Sequence, residues 1–108
     1  MDEEKATPAI DKVIHERVRL LILTHLAGKP ASRIAFNELK DSLELTAGNL
    51  SIQLKNLEAA GYINIHKRIK NNKPETTVTL TPAGLTALMD YLTELERIIR
   101  SVKDAGRD

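Results

Sequence analysis

Apolar residues recur along this chain with two different periods, and the changes of period mark out the expected elements. From Asp11 to Ala27 the spacing is helical. Ile14, Val18, Leu21, Ile22 and Leu26 fall on one side, and Arg17 and Arg19 lie away from it. Asp11 offers a side-chain oxygen to the free N–H groups of a helix start, and Gly28-Lys29-Pro30 stops the element. Ser32 to Ala35 is read as a brief strand through Ile34. Asn37 is read as the cap of a second short helix, Glu38 to Leu43, burying Leu39 and Leu43. Leu45-Thr46 then turns into a third helix, residues 46–60, on which Leu50, Leu54 and Leu57 share one face. Thr46 is its cap, and Gly61 can take the left-handed conformation that ends it.

Past Gly61 the period falls to two. In Tyr62 to Arg68, Ile63 and Ile65 alternate with Asn64 and His66. Ile69 to Glu75 reads as a loop with two lysines, and Thr76 to Leu80 as a second strand with Val78 and Leu80 inward. Thr81-Pro82 opens a last helix, because threonine caps and proline gives up an N–H that has no partner there anyway. This helix is expected over 82–102. Its Leu85, Leu88, Leu92, Leu95, Ile99 and Val102 are spaced 3-4-3-4-3, the seam of a coiled coil, and are read as a homodimer contact. Ala87, Met89 and Ile98 widen the apolar stripe, so the first half of the helix is expected to touch its own core as well. Residues 1–9 and Lys103 to Asp108 are polar and expected to be loose.

The 108 residues suit a single domain. Its class is mainly α with a small β-hairpin (α+β), and its core must be aliphatic because the chain has one Phe, two Tyr and no Trp. The lack of cysteine excludes disulfides, cysteine–zinc sites and thiol catalysis. His15 and His25 have no companion ligands at metal-binding spacing, so neither a metal nor a cofactor is called for. The longest apolar run, Leu20 to Leu23, is too short to span a membrane, and Met-Asp-Glu-Glu-Lys is unlike a signal peptide. A cytoplasmic location is expected.

Charge is unevenly placed. From Ala47 to Lys73, Lys55, Lys67, Arg68, Lys70 and Lys73 stand against Glu58 alone, giving +4, while the whole chain carries +1 and the remainder therefore −3. That is a local electrostatic footprint of the kind that suits a polyanion. Within it, the third helix shows Gly48, Asn49, Ser51, Ile52, Lys55 and Asn56 opposite its leucines. Amides offer a donor beside an acceptor, lysine reaches guanine or phosphate, and isoleucine can meet a thymine methyl. An ordinary amphipathic surface helix would carry the same leucines. The hairpin that follows is what favours a reading role. Two short helices joined by a tight turn have helix-turn-helix spacing, and a basic hairpin directly after them can lie along phosphates.

The order of elements and the local sequence resemble the winged helix-turn-helix regulators, close to the MarR and ArsR types, over roughly residues 11 to 100. Leu50 to Ile63 is similar to their recognition helix running into the first wing strand. Leu80-Thr81-Pro82-Ala83-Gly84 is similar to the start of their final helix, and Val18 to Leu23 to their early core helix. The resemblance implies a homodimer on palindromic double-stranded DNA, with Asn49, Ser51, Ile52, Gln53, Lys55 and Asn56 facing the major groove. Lys67, Arg68, Lys70 and Lys73, on a wing spanning 66–75, would face the backbone or minor groove. It implies a regulator, most simply a repressor. Ile52 stands where relatives often carry a basic or polar residue, and the wing lacks the Asp-x-Arg pattern of MarR-type proteins. Metal ligands of the ArsR kind are missing, and the residues name no small-molecule effector. An enzyme is a poor reading, since no Ser-His-Asp, paired-carboxylate or phosphate-loop pattern occurs. The alternative from another class is a winged helix used for protein interaction without DNA; in that case the wing and helix lysines need share no surface.

Overall fold

The structure, a computed structural model, describes residues 10–106. The expected looseness of 1–9 lies outside them. The elements are α1 (Arg17–Ala27), β1 (Ile34–Ala35), α2 (Phe36–Ser42), α3 (Ala47–Ala59), β2 (Ile63–Lys70), β3 (Lys73–Leu80) and α4 (Pro82–Ala105). The strands form one antiparallel sheet in the order β1-β3-β2. This is an α+β fold, a helix-turn-helix followed by a wing and a long final helix.

One aliphatic core joins these elements. Leu50, Leu54 and Leu57 of α3 are buried against Ile22, Leu23 and Leu26 of α1, Leu39 of α2, and Ile34, Ile63 and Val78 of the sheet. The leucine spacing of α3 therefore reports core packing, as expected. Its caps are also as read. Thr46 Oγ1 accepts from the Asn49 N–H (3.1 Å), and Gly61 takes φ +82° where the chain leaves the helix. Thr81 Oγ1 likewise accepts from the Gly84 N–H (2.9 Å), with Pro82 opening α4.

Five details of the sequence reading are corrected. The first helix starts at Arg17 rather than after Asp11. Asp11 caps only a turn, its Oδ1 accepting from Val13 N (2.9 Å) and Ile14 N (3.2 Å), and Glu16 caps α1 itself by accepting from Arg19 N (2.8 Å). The buried stripe of α1 includes Leu23, which is fully buried, while Leu21 lies outside the core. Asn37 is not a cap. Ala35, still paired with Thr77 in the sheet, precedes α2 directly, so the chain passes from strand to helix with no side chain capping it. The basic loop is instead ladder almost to its tip. Arg68 pairs with Glu75, Ile69 with Pro74 and Lys70 with Lys73, and only Asn71 (φ 53°) and Asn72 (φ 62°) turn. Asparagine tolerates left-handed backbone, and two such residues make the tight turn whose twist matches a hairpin. Pro74 is admissible because β1 covers only Val78 and Thr77, leaving the outer end of β3 an edge. Finally, α4 continues through Ala105, beyond the end expected from the seam at Val102, and 103–105 are helical rather than loose; Lys103 in the last turn complements the helix dipole. The expected looseness of residues 107 and 108 lies outside the described residues.

The start of α4 is fitted tightly to the base of the wing. Gly84 is buried so close to β2 that an added Cβ would stand 2.1 Å from the Tyr62 carbonyl oxygen. That carbonyl accepts from Thr81 N (3.1 Å), and Thr81 Oγ1 donates to the Gly61 carbonyl (2.7 Å). Two further contacts fasten the N-terminal segment here. Tyr62 Oη donates to Asp11 Oδ2 (2.5 Å), and His15 Nδ1 lies 2.8 Å from Tyr91 Oη. Hydrogen bonding to the Asp11 carboxylate, with burial and the negative charge adding, pushes the Tyr62 phenol up to about 12.

Candidate nucleic-acid interface

Helix α3 and the hairpin diverge from their shared core and leave a groove of about 700 Å³ between them. The N-terminus of α2 closes one side through Phe36 and Asn37, and Leu54 and Ile65 form an apolar floor. Lys55 of α3, Lys67 and Lys70 of β2, and Lys73 of β3 all line this groove, with Ser51 and Asn71 beside them. Lysines separated by up to 18 positions thus converge on one surface. Among the described residues none of the four is held in an ion pair. Four ammonium groups on a concave wall focus a positive potential into it.

One carboxylate shares the groove. Glu75 accepts from Arg68 Nε (2.6 Å) across the hairpin. The Arg68 hydrogen bond, with the charges of Arg68 and Lys70, holds its carboxyl below the ordinary carboxylate range, so it stays ionised and offsets Arg68. Arg68, expected among the phosphate contacts, is thereby engaged within the wing.

The reading face of α3 divides into two parts. Ser51, Ile52, Lys55 and Asn56 are exposed, Ile52 to 60 %. Asn49 and Gln53 are half-buried and bonded to each other, Gln53 Nε2 donating to Asn49 Oδ1 (3.2 Å). Arg19 of α1 donates from Nη1 to Gln53 Oε1 (2.9 Å) and from Nε to the Val13 carbonyl (2.5 Å). Arg19 was read only as lying off the α1 core face; its partner is 34 positions away, and no local pattern announces it. Ile69, read as part of a loop, sits on the ladder at 71 % exposure beside the wing tip. His66 is committed across the hairpin, with Nε2 3.1 Å from Thr79 Oγ1.

The proposed seam of α4 changes character along its length. Leu88 is 2 % exposed and Leu85 is packed on the core, so the first of these positions are spent inside the protomer, with Tyr91 (5 %), which the seam did not include. Leu88 as a dimer contact is accordingly corrected: the 3-4 spacing is shared by a core-facing stripe. Leu92 and Leu95 are half-buried, while Ile98, Ile99 and Val102 are 36 %, 44 % and 67 % exposed.

A model of the winged helix DNA-binding domain family matches residues 18–99, which takes in the helix-turn-helix, the wing and most of α4. The chain belongs to this family. The winged-helix chain is also similar to uncharacterised protein MJ0432 of Methanocaldococcus jannaschii, 32 % identical over 92 residues that cover 85 % of this chain and 98 % of that one. Among solved structures it resembles a transcriptional regulator homologue from Pyrococcus horikoshii, with a TM-score of 0.77 and 28 % identity over 83 % of this chain and 87 % of the other. The fold is shared with an S. aureus MepR variant bound to an oligodeoxyribonucleotide, with a TM-score of 0.65, 15 % identity, and coverage of 87 % and 70 %. The winged-helix chain is thus a DNA-binding regulator by family. No helix among its described residues is long and apolar enough to cross a membrane.

Proposed function

We propose that the protein is a homodimeric, sequence-specific transcriptional repressor that acts by occluding its operator. Each protomer places α3 in the major groove and the wing along the adjacent backbone or minor groove. The convergence of Lys55, Lys67, Lys70 and Lys73 on one groove carries this reading, since lysines scattered over the surface would instead have favoured a protein-interaction module. That a MepR variant of the same fold is bound to an oligodeoxyribonucleotide supports DNA as the partner. Ile98, Ile99 and Val102, exposed in line near the free end of α4, suit a second copy of the same helix. Two half-sites then lie about 10 bp apart, or a multiple of that.

Fluorescence anisotropy with a labelled duplex library across a salt series tests the proposal. If each protomer neutralises roughly three to five phosphates, affinity falls by orders of magnitude over a modest rise in salt. Absent or salt-independent binding would refute it.

A further inference from the structure

The half-buried amides of α3 are chemically ordered by a residue outside the helix. Arginine has five N–H donors and no acceptor, so whatever faces the Arg19 guanidinium must accept. The Gln53 group 2.9 Å from Arg19 Nη1 is therefore its oxygen, and its nitrogen is left to face Asn49 at 3.2 Å. A nitrogen donor there requires the Asn49 oxygen in return. The remaining group, the Asn49 amino nitrogen, makes no hydrogen bond to any described residue, and it sits in the first turn of α3. Arg19 is itself held by the Val13 carbonyl, and the Asn49 backbone by Thr46, so the order has fixed ends.

We infer that Arg19 is a positioning residue for sequence reading: through Gln53 it turns the Asn49 oxygen inward and leaves the amino group, with both its donors free, to meet the base, and the contacted base is guanine rather than adenine. The usual asparagine–adenine pair needs an oxygen for the N6 amino group and a nitrogen for N7. Here the oxygen is turned toward Gln53, which takes one of its two lone pairs, so the group left to face the base is the amino nitrogen, and adenine N6 would meet a donor with a donor. Guanine places two acceptors, N7 and O6, side by side on the same edge. This rests on the DNA-binding reading of the same face, and adds to it a base preference and a residue on another helix that sets it.

The test uses the full chain and the best duplex recovered from a random library, with each base pair of the half-site then varied in turn. Asn49→Ala identifies the position whose preference it flattens. At that position the wild type should favour guanine over adenine by about tenfold or more. Inosine, which keeps N7 and O6, should substitute for guanine, and 7-deazaguanine, which lacks N7, should not. Gln53→Glu replaces the amide by a group that only accepts. It still satisfies Arg19 but forces Asn49 to turn its nitrogen inward and its oxygen outward. The preference at the same position should then invert toward the amino-bearing bases adenine and cytosine, whatever the added charge does to overall affinity. Arg19→Lys, a donor without an acceptor, should retain the guanine preference, and Arg19→Met should reduce it to within about threefold of unity. If Gln53→Glu does not fold, the Lys and Met pair decides. An Asn49-dependent position that prefers adenine in the wild type, or a guanine preference indifferent to Arg19→Met, overturns the inference. Salt-sensitive, lysine-dependent binding in the same experiment would leave the DNA-binding reading standing; no binding to any duplex removes both.

Discussion

Replacing Gly84 by alanine puts a methyl group against the base of the wing. On helix propensity alone the change is favourable by up to ~1 kcal/mol, since glycine is a poor residue inside a helix. The structure predicts the opposite sign. The new Cβ stands 2.1 Å from the Tyr62 carbonyl oxygen, 2.9 Å from its carbon and 3.0 Å from Leu80 Cδ1, so α4 and β2 must separate by roughly 1 Å to reach van der Waals contact. Backbone cannot swing aside as a flexible side chain can. The Tyr62 carbonyl holds Thr81 N, and Thr81 holds the Gly61 carbonyl, so separation strains or breaks a hydrogen bond worth about 1 kcal/mol besides the usual ~1–3 kcal/mol of overpacking. Net destabilisation of about 1–3 kcal/mol follows after the propensity gain is subtracted. Urea unfolding followed by circular dichroism, at one fixed protomer concentration, reads it as a lower midpoint. Gly48→Ala is the matched control. Nothing lies within 4 Å of its added Cβ on exposed α3, so it should be neutral or gain up to ~1 kcal/mol. If Gly84→Ala is as stable as the wild type while Gly48→Ala behaves as stated, the close helix–wing approach is wrong.

Three further outcomes are expected. Lys70→Ala should weaken binding to all duplexes about equally and lower the slope of log affinity against log salt by about 1, as measured by anisotropy; a change in base preference instead would place Lys70 on a base edge. The folded-state phenol of Tyr62, at about 12, lies above its unfolded value near 10, so its contribution is complete below pH 10 and is lost as pH rises from 10 to 12. Tyr62→Phe should cost about 1 kcal/mol at neutral pH, allowing for the partial exposure of the pair, and the gap to wild type should close over that window in urea midpoints taken at stepped pH. Ile99→Asp with Val102→Asp should leave the helical signal intact but give a monomer by sedimentation equilibrium and at least tenfold weaker operator binding, while retained dimers would move the interface elsewhere.

Elements whose signals are local were legible in the residues. A threonine at a helix start, a glycine at its end and leucines three and four apart need no knowledge of the rest of the chain, which is why α3 and the start of α4 were read correctly. Signals that depend on a distant partner were misassigned. Leu23 is buried, and Leu21 left outside the core, by strands and helices that approach α1 from directions its own periodicity does not encode. The Asn71-Asn72 turn was hidden because Lys70 and Lys73, beside Pro74, have the composition of a loop; the cross-strand register extends the ladder through them. The same division holds at the site. Which lysines belong to the basic stretch is plain in the sequence, but their convergence on one groove requires the hairpin to fold back beside α3.

The tight joint at Gly84 bears on how such a protein would measure DNA. Because α4 is fastened to the wing base by the Gly61–Tyr62 backbone and through Tyr91 to the N-terminal segment, the lysine-lined groove and the helix are expected to move together as one body. From Pro82 to Val102 the helix rises about 30 Å, close to one turn of the duplex at about 34 Å. If two copies meet through Ile98, Ile99 and Val102, the separation of their recognition helices is set at the far end of a stiff lever. A small change in crossing angle there becomes a shift of several ångströms at the groove. Half-site spacing should therefore respond to substitutions near Val102, which lie far from any DNA contact. Substitutions within α3 should change which bases are preferred and leave the spacing alone. Selecting operators with variants of each kind separates the two effects; if Val102 variants that remain dimeric never alter spacing, the helix and the groove are not rigidly joined.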